Sequence, residues 1–131
     1  MNREILFRGQ IKYNGNHLFA GEWVEGSLIV KTKGVFIYVI EKDQFGNIVR
    51  EFEVEVVPET VGQFTGLTDK NGVRIFEGDI VKTTKRIGVC VFYLGCFVID
   101  DLKETTDHDS SSPLLWEVIG NIHDTPNLLT K

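Results

Sequence analysis

The sequence predicts an all-β protein built from antiparallel strands. Valine, isoleucine and nine phenylalanines dominate the apolar residues, and side chains of these types favour strands. The 13 glycines suit a chain that reverses direction often. With 131 residues, of which 42% are hydrophobic and 25% charged, the chain is long enough to bury the core of one ordinary globular fold.

The first half contains four predicted strands, at residues 4–8, 21–31, 34–41 and 48–57. Asn14-Gly15-Asn16 predicts a turn in the loop between the first two, and Asp43-x-x-Gly46 predicts a turn between the last two. The string FEVEVV in the fourth strand alternates apolar and acidic residues. This alternation predicts one buried and one solvated face, the latter formed by Glu51, Glu53 and Glu55.

The second half begins with a helical turn, because Pro58 suits the first helical position. Strands follow at residues 63–67, 73–76, 80–83, 87–93 and 96–100. Asp69-Lys70-Asn71-Gly72 predicts a type I turn that ends in a left-handed glycine, Gly78 predicts a sharp bend, and Leu94-Gly95 predicts a tight hairpin. This hairpin places Cys90 opposite a residue near Ile99, so no disulfide with Cys96 is expected and both thiols are expected to be reduced and structural.

Residues 103–113 are polar and predict a loop, whereas the segment Leu114–Ile122 is ambiguous. Leu114, Leu115, Val118, Ile119 and Ile122 have helical spacing, and a serine-proline pair precedes them. Trp116, Val118 and Ile122 also fit one face of a strand. The residue pattern alone slightly favours a helix.

The net charge of −5 makes a nucleic-acid partner less expected, because such binding depends largely on lysine and arginine contacts to phosphate. A basic patch is nevertheless possible at Lys70, Arg74, Lys82, Lys85 and Arg86. Such a patch, with aromatic neighbours, would suit a small nucleic-acid-binding barrel. We favour the alternative that these residues are a charged turn that keeps a sheet edge soluble.

No catalytic arrangement is evident, so the sequence predicts a protein that is not an enzyme and takes no cofactor. The phosphate-binding glycine motifs are absent, Ser27 lacks the flanking glycines of a nucleophile elbow, and both cysteines lie in apolar strands. A metal-dependent hydrolase around His108 and His123, with Asp107, Asp109 and Asp124, remains an alternative. Asp69-x-Asn71 and Asp107-x-Asp109-x-Ser111 begin like calcium loops but lack the later glycine and glutamate.

No run of about 18 apolar residues occurs that would span a membrane. The first ten residues lack the apolar core of a signal peptide and predict a strand instead. The expected location is therefore the cytoplasm.

Four strings resemble the YopX family of small bacteriophage and prophage proteins. They are REILFRG, GEWVEGSLI, PETVGQFTGLTDKNGVRIFEGDIVK and WEVIGNIHDTPNLL, and together they cover nearly the whole chain except the segment 99–113. The residues that match the family's pattern are Arg8, Glu59, Thr60, Gln63, Phe64, Gly66, Asp69, Gly72, Glu77, Gly78 and Asp79. We expect structural roles for them, with Glu59, Gln63 and Glu77 hydrogen-bonding backbone groups.

The resemblance implies a mostly β fold, a strand at residues 117–122, and an SH3-like portion in the second half. We therefore expect an N-terminal antiparallel sheet over residues 1–57 and a small SH3-like barrel over residues 58–131, packed as one unit. The resemblance also implies a phage or prophage origin and action in the bacterial cytoplasm, and it supplies no catalytic activity. Because sheet edges must be paired or covered, we expect a homo-oligomer that also engages a host or phage protein.

Overall fold

The computed structural model describes residues 4–12, 19–100 and 112–129, and all the strand pairs in these ranges are antiparallel. The described residues contain strands and three short 3₁₀ helices but no α-helix. The predicted all-β class is therefore confirmed. The predicted turn at Asn14–Asn16 and most of the predicted loop 103–113 lie outside the described residues.

The chain divides into two compact units, Met1–Gln63 and Phe64–Lys131. In the first unit the strands are β1 (Phe7–Gln10), β2 (Trp23–Lys31), β3 (Gly34–Lys42) and β4 (Ile48–Val56), followed by a 3₁₀ turn at Pro58–Thr60. Consecutive strands pair with each other. The predicted first strand, residues 4–8, was wrong at its start, because pairing with β2 begins only where Phe7 meets Gly26.

The sheet of the first unit curls until its first and fourth strands meet. Val57 N donates to Gln10 O at 2.9 Å, and Lys12 N donates to Glu55 O at 2.9 Å, so Ile11 bridges to Val56. Ile37 and Val56 are 0% exposed on the concave side. The three glutamates of β4 lie on the opposite face, where Glu55 bonds Lys12 and Glu53 pairs with Lys31, as the alternation predicted.

Strand β5 (Gly62–Thr68) begins in the first unit, where Gly62 and Gln63 pair with β1. In the second unit it pairs with β6 (Arg74–Phe76). A four-stranded sheet follows, built from β7 (Asp79–Lys82), β8 (Ile87–Tyr93), β9 (Cys96–Asp100) and β10 (Glu117–Asn121) in the order β10-β7-β8-β9. Its core is a buried cluster of Ile75, Val81, Cys90, Ile99 and Trp116. The domain boundary expected between residues 57 and 58, and the SH3-like assignment, stay predictions.

The β8–β9 hairpin has the bounds that the sequence predicted, and Cys90 lies opposite Ile99. The helix suggested by the residue pattern of 114–122 does not form. Residues Pro113–Leu115 make one 3₁₀ turn, and the chain then becomes β10, because backbone pairing of Val118 with Val81 and burial of Trp116 outweigh the helical spacing.

Gly26 of β2 lies against the backbone of β3, where no side chain fits. Substitution of this glycine therefore tests the close approach of the two strands. A Cβ atom at this position would stand 2.0 Å from the carbonyl oxygen of Tyr38. We expect Gly26→Ala to lower the free energy of unfolding by about 2–4 kcal/mol, since strands β2 and β3 must separate to admit the methyl group. Urea denaturation measures the change. Ser27→Ala, at the exposed neighbouring position, is the control, and equal stabilities of the two variants would contradict the close approach.

Candidate functional site

Among the residues of the family pattern, Asp69 has a buried carboxylate. Its Oδ1 accepts hydrogen bonds from Asn71 N at 2.8 Å and Val73 N at 2.9 Å, and its Oδ2 accepts one from Val118 N at 2.9 Å. Lys70 N also donates to Trp116 O at 3.0 Å. Both carboxylate oxygens are thus directed at the protein's own backbone, which is a structural arrangement rather than an open calcium loop.

Other polar members of the pattern have similar local partners. Asp79 is buried, and its Oδ2 accepts a hydrogen bond from Phe76 N at 2.7 Å across the Gly78 bend. In the first unit the buried Thr60 hydroxyl donates to Val57 O at 2.6 Å and accepts from Gln10 N at 2.9 Å. Such bonds compensate the loss of water that burial imposes on polar groups.

The remaining members of the pattern are three glycines, an aromatic residue and four longer polar side chains. One of the four is Arg8, whose guanidinium carbon lies 4.9 Å from the ring centroid of Trp23. Gly72 and Gly78 have positive φ, as their turns require, and Gly66 has positive φ within β5, where the register with β6 shifts. Phe64 is buried against Phe76, with ring centroids 5.5 Å apart. Glu59 is exposed, and Gln63 and Glu77 are half-buried. The backbone hydrogen bonds expected of these last three stay predictions.

The proposed basic patch is only partly assembled. Lys82, Lys85 and Arg86 share the β7–β8 turn, where Thr83 Oγ1 accepts from the backbone N–H groups of residues 85 and 86, each at 3.1 Å. Glu117 stands directly opposite Lys82 in the ladder between β10 and β7. An acidic side chain therefore lies where the patch would need to attract phosphate.

Two other basic residues complete the predicted patch. The guanidinium carbon of Arg74 lies 5.7 Å from the ring centroid of Phe64, so this cation covers an aromatic face. Lys70 is exposed on the Asp69–Gly72 turn. Neither the ring contact of Arg74 nor the exposed position of Lys70 identifies a groove for nucleic acid, and the basic patch stays a hypothesis.

The predicted metal and nucleophile residues do not converge in the part of the chain that the structure describes. Across residues 4–12, 19–100 and 112–129, no three His, Cys, Asp or Glu side chains are placed to hold a metal ion. His123 is exposed in a turn capped by Asn121, whereas His108 and the Asp107–Ser111 motif lie outside these ranges. Cys90 and Cys96 both lie in strands, as predicted, and both are free; Cys90 is buried, whereas Cys96 is exposed at the start of β9.

The tip of the β8–β9 hairpin is an exposed apolar surface that the sequence did not reveal. We use the name hairpin tip for Phe92, Tyr93 and Leu94, which are exposed, together with Phe97, which is half-buried and packs against the core cluster. Leu94 is 85% exposed and Phe92 is 58% exposed, and the rings of Phe92 and Phe97 pack edge to face with centroids 5.1 Å apart. Leu94 has φ +49° and is the only non-glycine residue with positive φ among those described.

The first unit contains a cleft of ≈ 460 Å³, which the sequence also did not reveal. One wall comes from the chain around the start of β2, and the other comes from β3 and β4. The lining residues are Ile11, Phe19, Ala20, Glu22, Trp23, Val24, Glu41, Arg50, Phe52, Glu53 and Val54. Arg50 donates to Glu41 at 2.6 Å at the rim, and its guanidinium carbon lies 4.7 Å from the ring centroid of Phe52.

Two antiparallel sheets, buried backbone-directed carboxylates and apolar exposed hairpins define a small all-β protein. In the described residues no helix is long and apolar enough to cross a membrane. The chain belongs to the YopX family, because the family model described as YopX protein matches residues 8–130. The predicted resemblance is thereby confirmed.

The chain matches no curated protein. A solved structure with a similar fold is the crystal structure of protein EF1440 from Enterococcus faecalis. It is 23% identical to this chain, the match covers 98% of this chain and 99% of that one, and the TM-score is 0.56. At this level of identity the similarity shows the fold alone.

Asp69 provides a test of the carboxylate network. Removal from water raises the pKa of its carboxyl group. Hydrogen bonds from Val118, Val73 and Asn71, together with the charge of Lys70, lower this pKa by a larger total amount. The pKa of Asp69 therefore lies below its ordinary value. We expect Asp69→Asn to destabilise the protein at pH 7 by about 1–3 kcal/mol, because an amide N–H₂ cannot accept the bond that Val118 N donates.

Because the folded-state pKa is lowered, this contribution is present above pH ~4 and disappears as pH falls through the folded-state pKa. The stability difference between the wild type and Asp69→Asn should therefore narrow on acidification, as measured by urea denaturation at several pH values. Asp43→Asn is the matched control, since Asp43 makes the same turn bonds to residues 45 and 47 but is exposed. If Asp69→Asn were as stable as the wild type at pH 7, the proposed contribution of the Asp69 hydrogen bonds would be refuted.

Leu94 provides a second test. A left-handed conformation costs a leucine roughly 1 kcal/mol, whereas asparagine tolerates it through local hydrogen bonds. We expect Leu94→Asn to raise the free energy of unfolding by about 0.5–1 kcal/mol, as measured in urea. Leu67→Asn, at an exposed position of β5, is the control and should give no gain. Loss of stability in Leu94→Asn would show that Leu94 supports the fold.

Proposed function

We propose that this chain is a phage- or prophage-encoded, non-enzymatic binding or assembly module that acts in the bacterial cytoplasm. It engages a host or phage protein, or another copy of itself, through the hairpin tip. The single observation that supports this proposal most is Leu94, an apolar side chain that is 85% exposed on backbone with φ +49°.

Leu94 carries two separate costs for the folded monomer. An asparagine or glycine would relax the backbone, and a polar side chain would remove the exposed apolar surface. The fold gains no burial in return, because the side chain is almost fully solvated. Conformational cost kept at an exposed position is typical of a functional site. Contact with a partner would remove this apolar surface from water.

Part of the hairpin tip is ordered by its own contacts, which favours binding. The two-residue turn fixes the backbone of the tip, and the edge-to-face contact orders the rings of Phe92 and Phe97 before a partner arrives. A surface ordered in advance loses less conformational entropy on association. Aromatic side chains such as Phe92 and Tyr93 are typical anchors in the centre of protein interfaces.

The two alternatives receive less support. Glu117 lies opposite Lys82, and the net charge of the chain is −5. Both features oppose the binding of phosphate groups and so disfavour a nucleic-acid role. A metal-dependent hydrolase would depend on His108, which is not among the described residues, and on His123, which is exposed. A phage protein that binds another protein requires neither feature.

The test uses Leu94→Asn, a variant that we expect to stabilise the fold but to weaken binding, and measures how much partner protein it captures. Wild type, Leu94→Asn and Leu67→Asn are immobilised separately, and bound proteins from a lysate of the phage-carrying host are quantified by mass spectrometry. Sedimentation velocity over a concentration series measures self-association. We expect Leu94→Asn to weaken the selected complex about tenfold although it stabilises the fold, because loss of one central apolar contact costs about 1.4 kcal/mol.

The control Leu67→Asn should bind like the wild type. Phe92→Ser should reproduce the loss seen with Leu94→Asn. Retention of the partner by Leu94→Asn would overturn the proposal, and so would a wild-type protein that captures nothing above bare resin and stays monomeric at high concentration.

A further inference from the structure

The end of the β8–β9 hairpin is apolar on both of its faces. Residues opposite each other in a ladder share a face, and successive residues of a strand alternate between faces. Phe92 and Phe97 therefore lie on the same face as Cys90 and Ile99, which belong to the buried core cluster. The opposite face, which we call the outer face, is formed by Val91, Tyr93, Cys96 and Val98.

The chain covers this side of the hairpin only far from the turn. Val89, which precedes the outer face on the same side of β8, is 4% exposed. Val91 and Val98 are half-buried, Tyr93 is 45% exposed, and Cys96 is also exposed. Strands with one solvated face normally alternate apolar and polar residues, as β4 does, whereas strands that are apolar on both faces are typical of sheets covered twice. The outer face therefore has the composition of a covered surface but is open towards the turn.

The absence of charge restricts what can cover the outer face. Residues 87–99 include no charged side chain, although 25% of the whole chain is charged. A nucleic acid, or an acidic or basic peptide, would form no ion pair with this surface. The occupant must therefore present an uncharged apolar surface of its own.

A second copy of this chain presents such a surface, namely the same hairpin. Each copy carries a net charge of −5, so two copies repel each other in general. The uncharged hairpin is where two copies approach with the least repulsion. A two-fold contact uses the same patch on both subunits, and an uncharged apolar patch is complementary to itself.

The size of the patch sets the strength of such a contact. With about 200 Å² for a whole aromatic side chain, the exposed parts of Phe92 and Tyr93 amount to roughly 100 Å² each. Leu94 and the partly exposed residues of the outer face roughly double this sum, so a two-fold contact would bury about 800 Å² over both copies. Stable interfaces bury at least about 1,200 Å², so the expected dimer is weak and reversible.

We propose that two copies of this chain associate about a two-fold axis through the hairpin tip and the outer face. Each copy covers Tyr93 and Leu94 of the other. Because any axis through so small a face passes near all of its residues, the two Cys96 thiols lie close together. This inference rests on the function proposed for the hairpin tip and names a second copy as the partner.

The first measurement is translational diffusion by NMR over a concentration series that reaches about 1 mM. We expect a dissociation constant of about 0.1–1 mM for the wild type. Tyr93→Ser should weaken the dimer at least about fivefold, because it removes an aromatic contact from the interface. Phe45→Ser, which removes an exposed aromatic side chain at the β3–β4 turn, is the matched control and should associate like the wild type. Equal association of Tyr93→Ser and Phe45→Ser would overturn the proposal.

Salt separates an apolar contact from an ionic one. Between about 50 mM and about 500 mM NaCl, the dissociation constant should stay constant or fall by up to about twofold, because salt screens the repulsion between two acidic chains. A dimer that weakens about tenfold over this range would depend on ion pairs, which the hairpin lacks, and would contradict the proposed surface.

Cross-linking locates the interface. Cys96 is exposed whereas Cys90 is buried, so a short bismaleimide should react at Cys96 and link two wild-type chains. Cys96→Ser should abolish the link and leave the dissociation constant within about twofold of the wild-type value, since the substitution changes one atom at the patch. A dimer that the reagent does not link would place the interface elsewhere and refute the proposal.

Failure of this inference and failure of the proposed function give different results. If the wild type stays monomeric at about 1 mM but captures a host or phage protein that Leu94→Asn loses, the second copy is the wrong partner and the binding role of the hairpin tip stands. If Cys96 of a monomer also resists the thiol reagent, the chain itself covers the outer face, which likewise refutes the dimer. If neither a dimer nor a captured protein is found, both proposals fail.

Discussion

The second unit depends on the hydrogen bonds of one carboxylate. Asp69 shapes its own turn through Asn71 and Val73, and it also accepts a bond from Val118, which lies 49 residues further along the chain. Together with the bond between Lys70 N and Trp116 O, this contact fixes the start of β10. Trp116 is thereby held in the core, and β10 is held beside β7. The side chain of Asp69 thus connects the Asp69–Gly72 turn to the start of β10.

The two Asp-x-x-Gly turns show what a sequence can and cannot predict. Asp43 and Asp69 both accept hydrogen bonds from the second and fourth residues that follow, and Gly46 and Gly72 both have positive φ. These local features follow from the spacing alone. The third bond of Asp69 does not, because Val118 is 49 residues away in the chain and only the tertiary fold brings it to Asp69. Turn type was predictable, whereas the buried network was not.

The same distinction separates the predicted strands from the candidate sites. The β8–β9 hairpin was predictable because a two-residue turn fixes the register of its strands. The strand β10 was not predictable from periodicity, since Leu114, Val118 and Ile122 also fit a helix, and pairing with β7 decided the outcome. The cleft combines residues near Ile11 with residues near Phe52, so no local pattern contains it. The hairpin tip had a local signal, because leucine stands where asparagine would normally precede the turn glycine.

Some of the exposed apolar side chains, such as Phe45 and Leu94, lie at hairpin ends, because backbone hydrogen bonds rather than side chains hold these ends together. Phe45 is 78% exposed, yet its turn is closed by the bond from Asp43 N to Asn47 O and by the Asp43 carboxylate. Leu94 is equally unnecessary for the ladder on either side of it, where Tyr93 pairs with Cys96. A residue whose side chain adds nothing to folding can change without loss of the fold. The ends of the hairpins are therefore the positions where side chains can change while the buried carboxylates keep the structure unchanged.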